Sequence, residues 1–156
     1  MKKIFILVVL FIFSGLTFAC GSDIQREKMA EKLYADDDMR KFACAADSCS
    51  KQEFEQALQF NRYEQSFHGK KLQVCLVEPT LSATNSYTGV FVTQGNDFEF
   101  QFISYGTGVK VGVNKVGVPM IIEGGFSDPD NPDNSVNQYL WNGSAFIFSR
   151  NVPRRN

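Results

Sequence analysis

Histidine is almost missing from this sequence, since His68 is the only one among 156 residues. A zinc site needs about four cysteine or histidine ligands, and with one histidine we do not expect the cysteines to bind metal. The chain also lacks the Gly-x-Ser-x-Gly, His-Glu-x-x-His and glycine-rich phosphate-loop motifs. No cofactor is therefore expected. Catalysis stays open only through His68 with carboxylates that the fold brings to it.

Long apolar runs are also missing after residue 19, so no later segment is expected to span a membrane. The one long run, Ile4 to Phe13, has about half the length that a bilayer requires, and it follows Lys2 and Lys3. A positive start, a short apolar run and a small-residue cleavage site are typical of a secretory signal peptide. We predict that residues 1–19 are a bacterial export signal and that the protein acts in the cell envelope.

The cleavage region reads LTFACGS at positions 16–22, with Cys20 directly after the predicted cut. Through these residues the chain resembles bacterial lipoprotein precursors, and the resemblance covers only the first 22 residues. It implies a lipid on Cys20, through which alone the protein would touch a membrane. A general signal peptidase would cut at the same bond, since Thr17 and Ala19 are small, and would leave Cys20 free for a disulfide. We favour the lipid because the cysteine falls at the cut site.

The four cysteines bear on the same question. If Cys20 carries no lipid, Cys20, Cys44, Cys49 and Cys75 are an even set that allows two disulfides in three connectivities. If Cys20 is lipidated, one thiol is left over. Four residues separate Cys44 from Cys49, whereas a reactive dithiol motif has two, so we predict a structural disulfide that involves Cys44 or Cys49.

Charge of neither sign dominates the chain. Residues 1–19 contain two lysines and no acid, so the remaining 137 residues carry 14 basic and 17 acidic side chains, a net charge of −3. Nucleic-acid binding is therefore not expected, because it needs a basic surface. The basic cluster Arg150, Arg154 and Arg155 is interpreted as a solvated tail.

The pattern changes near residue 63. Before it we predict helices: one from Ile24 to Tyr34, with Ile24 in its apolar stripe, and one whose apolar face recurs at helical spacing from Met39 to Ala46. A third helix begins at a Ser50–Glu53 capping box and continues through Leu58. Residues 20–62 are therefore predicted to be a helical segment of a single domain.

Residues 63–156 show the alternation of strands. Val116 to Ile122 is one candidate strand, and Asn142-Gly143 predicts the clearest hairpin turn. The alternating phenylalanines at positions 98, 100 and 102 and valines at positions 109, 111 and 113 are expected on paired strands that face one core. The fold class is α+β, with short N-terminal helices followed by one antiparallel sheet of about five to seven strands.

Two further groups of residues are candidate sites. The aromatic side chains around the Asn142-Gly143 turn predict a binding surface, with a place in the core as the alternative. They are Tyr139, Trp141, Phe146 and Phe148. Asp128, Asp130 and Asp133 offer oxygen ligands for calcium, but their spacing departs from the usual calcium loop, so an ordinary turn-rich connection is favoured.

These observations favour a non-enzymatic envelope protein that binds another protein or a cell-wall component. An inhibitor or immunity protein directed at a wall-degrading enzyme is a specific form of this hypothesis. The alternatives are a small hydrolase that uses His68 with carboxylates, and a structural envelope lipoprotein.

Overall fold

The computed structural model describes residues 20–45, 48–94, 96–127 and 135–153. Three helices come first: α1 (Asp23–Tyr34), α2 (Asp37–Cys44) and α3 (Lys51–Gln56). Eight strands follow: β1 (Leu58–Phe67), β2 (Lys70–Pro79), β3 (Ser86–Gln94), β4 (Asp97–Gly106), β5 (Val109–Val113), β6 (Pro119–Gly124), β7 (Ser135–Trp141) and β8 (Phe146–Pro153). Helices followed by antiparallel strands confirm the predicted α+β class in outline. The predicted single sheet of five to seven strands is wrong, since eight strands form two four-stranded sheets.

Side-chain caps determine where the helices begin. Ser22 and Ser50 each accept a hydrogen bond from the backbone three residues on, in capping boxes with Gln25 and Glu53. The predicted start of the third helix is thereby confirmed. Its predicted continuation is wrong, because the helix ends at Gln56 and the chain is already in a strand at residue 58.

The first helix packs less of its surface than its pattern predicted. Met29, Ala30 and Leu33 are buried, whereas Ile24 is 67% exposed and lies outside the apolar stripe. None of the described helices is long and apolar enough to cross a membrane.

The first sheet has the order β1-β2-β3-β4, and its inner strands are covered on both faces. Cys75 and Val77 of β2, together with Phe91 of β3, pack under the three helices. Val74 and Leu76 point to the opposite face and pack against the second sheet. A strand buried on both sides needs apolar residues at consecutive positions, which explains the run from Val74 to Val77.

The second sheet has the order β5-β6-β7-β8, so the molecule has three layers: helices, first sheet, second sheet. Val109, Ile121, Trp141 and Phe146 fill the space between the sheets. The predicted pairing of the phenylalanine and valine stripes is wrong, because β4 and β5 belong to different sheets.

A β-bulge also divides the phenylalanine stripe. Phe91 pairs with Phe100 and Val90 with Phe102, which leaves Gln101 without a partner in the register. An extra residue in one strand reverses the alternation of faces beyond it. Phe100 therefore packs with the helices, whereas Phe102 packs between the sheets.

The two sheets join at a glycine-rich corner after β4. Thr107 N donates to Gly125 O at 3.2 Å, and Gly124 N donates to Gly108 O at 2.9 Å. Gly106 lies so close to Gly124 that a Cβ on it would be 2.1 Å from the Gly124 carbonyl oxygen. The corner therefore depends on glycine for close backbone approach at Gly106 and for a positive φ of 114° at Gly108.

The four cysteines form two disulfides. Cys44 bonds to Cys49 across the end of α2, and the predicted structural disulfide is confirmed. Cys20 bonds to Cys75, with Cα atoms 5.8 Å apart, and fixes the start of the described chain to the centre of the first sheet. A lipid would occupy the same Cys20 sulfur, so the disulfide alternative is the arrangement in this structure.

Candidate functional site

The second sheet has one face in the core and one turned away from it, which we call the outer face. Ile121 is fully buried against the first sheet, so its neighbours Met120 and Ile122 point outward. The pairing register extends this face across all four strands. Its side chains are Lys110, Met120, Ile122, Val136, Gln138, Leu140, Ile147, Arg150 and Val152.

The outer face is apolar, although an antiparallel sheet with one solvated face normally carries polar side chains there. Six of its members are Met, Ile, Leu or Val, and none belongs to either buried cluster. Ile147 is 51% exposed, and the other five are partly exposed. No helix or strand of the described chain covers this side of the sheet. Contiguous exposed apolar surface on a small domain marks an interaction site.

Two grooves run over this face. The larger, of about 500 Å³, lies between the β5–β6 hairpin and the middle of the sheet, with Val116, Met120, Leu140 and Arg150 among its walls. The smaller, of about 260 Å³, is lined by Lys110, Ile122 and Val136 near the glycine-rich corner. The outer face therefore offers concave apolar surface on rigid strands.

The β5–β6 hairpin raises Val116 over the larger groove. The Asn114 side-chain oxygen accepts hydrogen bonds from Val116 N at 3.0 Å and Val118 N at 2.9 Å, which orders the turn. Val116 is 82% exposed as a result. The predicted strand over residues 116–122 is therefore too long, because β6 begins at Pro119.

A second β-bulge places a cation on the outer face. Tyr139 pairs with Phe148 and Gln138 with Arg150, so Ser149 is the extra residue. If the strand alternated regularly through Ser149, Arg150 would point toward the first sheet. The guanidinium Nε instead donates to the Gln138 side-chain oxygen at 2.9 Å on the outer face. Arg150, predicted to belong to a solvated tail, is a fixed member of strand β8.

Charge on the outer face is of one sign among the described residues. Lys110, Lys115 and Arg150 surround the two grooves. Glu123 is the one described carboxylate of β5–β8, and it lies on the opposite face of the sheet, toward the core. Its Oε2 accepts hydrogen bonds there from Asn137 at 3.0 Å and from the Tyr139 hydroxyl at 2.9 Å. The site thus combines an apolar centre with a basic margin.

Comparison with known proteins gives no relative. No family model, curated protein or solved structure matches this chain. Its function has to be argued from the chemistry of its own surface.

The predicted aromatic surface around the Asn142-Gly143 turn lies mainly in the core. Trp141 and Phe146 are each 6% exposed and pack between the sheets, which is the alternative given for them above. Tyr139 stacks on Phe102 with ring centroids 4.7 Å apart. Phe148 remains 55% exposed, at the edge of this cluster. Of the four predicted residues, Trp141 and Phe146 therefore belong to the core, whereas Phe148 stays accessible to a partner.

Tyr139 has the most perturbed acid–base behaviour among the described residues. Partial burial, and then the hydrogen bond to the Glu123 carboxylate, raise its pKa to about 12. The phenol therefore acts here as a structural donor that stays protonated at physiological pH.

Replacement of Tyr139→Phe is expected to remove the last step in the alkaline titration of tyrosine absorbance. The unfolded phenol ionises near pH 10, so the folded state keeps this proton from about pH 10 to about pH 12. Its stabilisation is complete below about pH 10 and is lost as the pH rises through about 12. An unchanged high-pH step in the variant would contradict the assignment.

His68 is not part of a catalytic constellation among the described residues. It is exposed in the β1–β2 turn at φ 49°, with its ring 4.1 Å from that of Phe67. No described carboxylate forms a hydrogen bond with it, so the hydrolase alternative lacks the orienting acid that a general base requires.

No cluster of three or more His, Cys, Asp or Glu residues that could hold a metal occurs in the described ranges. The weak calcium candidates Asp128, Asp130 and Asp133 lie outside the described residues, as do the predicted signal segment 1–19 and Arg154 and Arg155.

A second exposed feature is a row of aromatic rings beside the glycine-rich corner. Tyr87 packs against Tyr105 with centroids 4.5 Å apart, and Tyr105 lies 5.8 Å from Phe126. The Asn85 side chain donates to Ser127 O and accepts from Ser127 N, both at 2.8 Å, which holds the Phe126 loop in place. Tyr105 and Phe126 are nearly half exposed.

Proposed function

We propose that this protein is a non-enzymatic component of the bacterial cell envelope that binds another protein through the outer face of its second sheet. One observation carries the proposal: six apolar side chains on β6, β7 and β8 form a grooved surface that no described helix or strand covers. Burial of apolar surface drives most protein association, and a β-sheet presents it with little loss of conformational entropy.

The proposed compartment rests on the cysteines and the predicted signal, and not on the outer face. Two disulfides that use all four cysteines suit an oxidising space outside the cytoplasm, and the predicted signal at residues 1–19 supplies the route there. An inhibitor or immunity protein is the specific form that we propose, because such a protein needs only a complementary surface and no catalytic group.

The variant Val116→Glu/Ile147→Glu is expected to abolish partner binding without affecting the fold. Both side chains are at least half exposed, so their replacement costs little stability, but it places two carboxylates in the proposed contact. The matched control is Ile24→Glu, an equally exposed apolar residue on α1. The measurement is capture of envelope proteins on each immobilised variant of residues 20–156, quantified by mass spectrometry.

Interpretation of this experiment requires equal thermal unfolding midpoints in all variants. Loss of the same captured proteins in the double variant, with retention in Ile24→Glu, supports the proposal. Equal capture by the double variant and the natural chain would refute the outer face as the contact surface.

A second candidate function, attachment to cell-wall glycan, is favoured by the aromatic row. Tyr105 and Phe126 present flat apolar rings, and aromatic rings of this kind anchor ligands at binding surfaces. Sedimentation with isolated cell-wall sacculi separates the two functions. Binding that is lost in Tyr105→Ala/Phe126→Ala and kept in Val116→Glu/Ile147→Glu would favour the glycan.

One form of the structural-subunit alternative places a second copy of this chain on the outer face. A two-fold contact between identical faces would bring the three cations of each copy into one interface, with no described carboxylate of that face to balance them. Self-association is therefore disfavoured, and a concentration-dependent increase in mass would argue for it.

A further inference from the structure

We infer that the occupant of the outer face is an acidic protein segment, one whose apolar side chains enter the grooves and whose carboxylates meet the basic margin. This inference rests on the proposed function and adds the chemistry of the partner. It follows from the charges around the grooves, from the preorganisation of Arg150, and from the concave shape of the face.

The cations are distributed to serve both grooves. Lys115 and Arg150 border the larger groove, and Lys110 borders the smaller one. Each lies next to apolar floor residues, so a bound segment would bury its apolar side chains while its charges remain at the margin. Ion pairs at such a margin stay partly hydrated and contribute more to specificity and association rate than to affinity.

The rest of the described surface carries charges of both signs, with a small excess of carboxylates. Twelve of the thirteen described carboxylates lie there, all except Glu123, together with nine Lys or Arg side chains. The groove between α1 and α3 shows this mixture, with Glu27, Glu31 and Glu55 among its walls and Lys51 paired with Glu31. In a protein of net negative charge, the outer face is thus the side that attracts an acidic partner.

Arg150 is prepared for a carboxylate. The Ser149 bulge turns it outward, and the hydrogen bond from its Nε to Gln138 fixes the guanidinium plane. The two terminal nitrogens can then donate to both oxygens of one carboxylate, the strongest common form of this pair. Less side-chain entropy is lost on binding because the group is already positioned.

An anionic membrane could also satisfy an apolar and basic face, but the shape of the face favours a protein. Its two grooves, of about 500 and 260 Å³, fit the side chains of a segment better than a flat lipid surface.

The test is selection from a library of random displayed peptides on immobilised residues 20–156. We expect the selected peptides to combine apolar residues with Asp or Glu. We expect the variant Lys115→Glu/Arg150→Glu to bind the same synthetic peptides about tenfold or more weakly at low salt, because two attractions become repulsions. The control Lys70→Glu/Lys71→Glu makes the same change of charge in the exposed β1–β2 hairpin and should bind them unchanged.

The outcomes separate this inference from the proposed function. The selected peptides could be apolar and uncharged, and their binding could be lost in Val116→Glu/Ile147→Glu but unchanged in Lys115→Glu/Arg150→Glu. That result would leave the proposed function intact and overturn the acidic partner. Peptide binding that is unchanged in both variants would overturn both the acidic partner and the proposed function. In a parallel assay, cosedimentation with phosphatidylglycerol vesicles that is lost with either outer-face variant would assign the face to a membrane instead.

Discussion

Replacement of Cys20 and Cys75 by serine is expected to lower the free energy of unfolding by about 4 kcal/mol, the largest effect of any change proposed for this chain. The two cysteines are 55 residues apart, and a cross-link over so long a loop removes much entropy from the unfolded chain. The same calculation predicts about 2 kcal/mol for Cys44→Ser/Cys49→Ser, whose separation is 5. Urea unfolding of residues 20–156 without reductant measures both values.

The second pair is the matched control, since each variant removes one disulfide and two thiols. A larger loss for the long-range pair supports its role in holding the start of the chain to the first sheet. Equal or reversed losses would contradict the larger stabilisation expected of the Cys20–Cys75 bond. Intact mass of protein from its native host would then decide whether a lipid occupies that sulfur.

The variant Gly106→Ala is expected to lose about 3 kcal/mol of stability, with much of the loss localised where the sheets join. The new Cβ would stand 2.1 Å from the Gly124 carbonyl oxygen, and this contact is with backbone that cannot rotate away. The backbone must therefore move, which loosens the Gly124–Gly108 hydrogen bond of the corner. Thermal or urea unfolding measures the loss, and amide exchange at residues 106–108 and 124–125 locates it.

Gly112→Ala is the control for this prediction. Gly112 is also a strand glycine without positive φ, but a Cβ there meets nothing within 4 Å. Replacement there is expected to be neutral or slightly stabilising, because alanine restricts the unfolded chain. If both variants unfold alike, the close approach at the corner is not a constraint on the fold.

Local signals in the sequence predicted local structure. The Ser50–Glu53 capping box and the Asn142-Gly143 turn depend on residues close in the chain, and both are where the sequence placed them. The Cys44–Cys49 disulfide is local in the same sense, because two cysteines five residues apart stay close together in most conformations of the chain. The start of the strands was set too late because β1 carries polar residues at most positions after Leu58 and Phe60.

Long-range features could not be obtained in that way. The division into two sheets is determined at Gly106–Gly108, where the sequence indicates that one strand ends but not that the next strand joins another sheet. The bulges at Gln101 and Ser149 each reverse which face the following residues occupy, and a strict period of two cannot reveal them. Assignment of Phe102 and Arg150 to a face therefore required the register.

The outer face did leave a signal in the sequence. Met120-Ile121-Ile122 and Tyr139-Leu140-Trp141 are apolar at consecutive positions, which indicates strands with two apolar faces. Burial on both sides explains this pattern in β2, where helices and the second sheet cover the two faces. In β6 and β7 no described element covers the second face. The difference between these cases is visible only in three dimensions.

The central claim is that the outer face contacts the partner. The most direct test is photo-crosslinking in living cells of the native host, with Ile147 replaced by p-benzoylphenylalanine and Ile24 replaced in a parallel strain. Both positions are exposed, one on the outer face and one on the helical side. We predict a discrete adduct with another protein from position 147 and none from position 24. An adduct from position 24 alone, or equal labelling from both, would contradict the account.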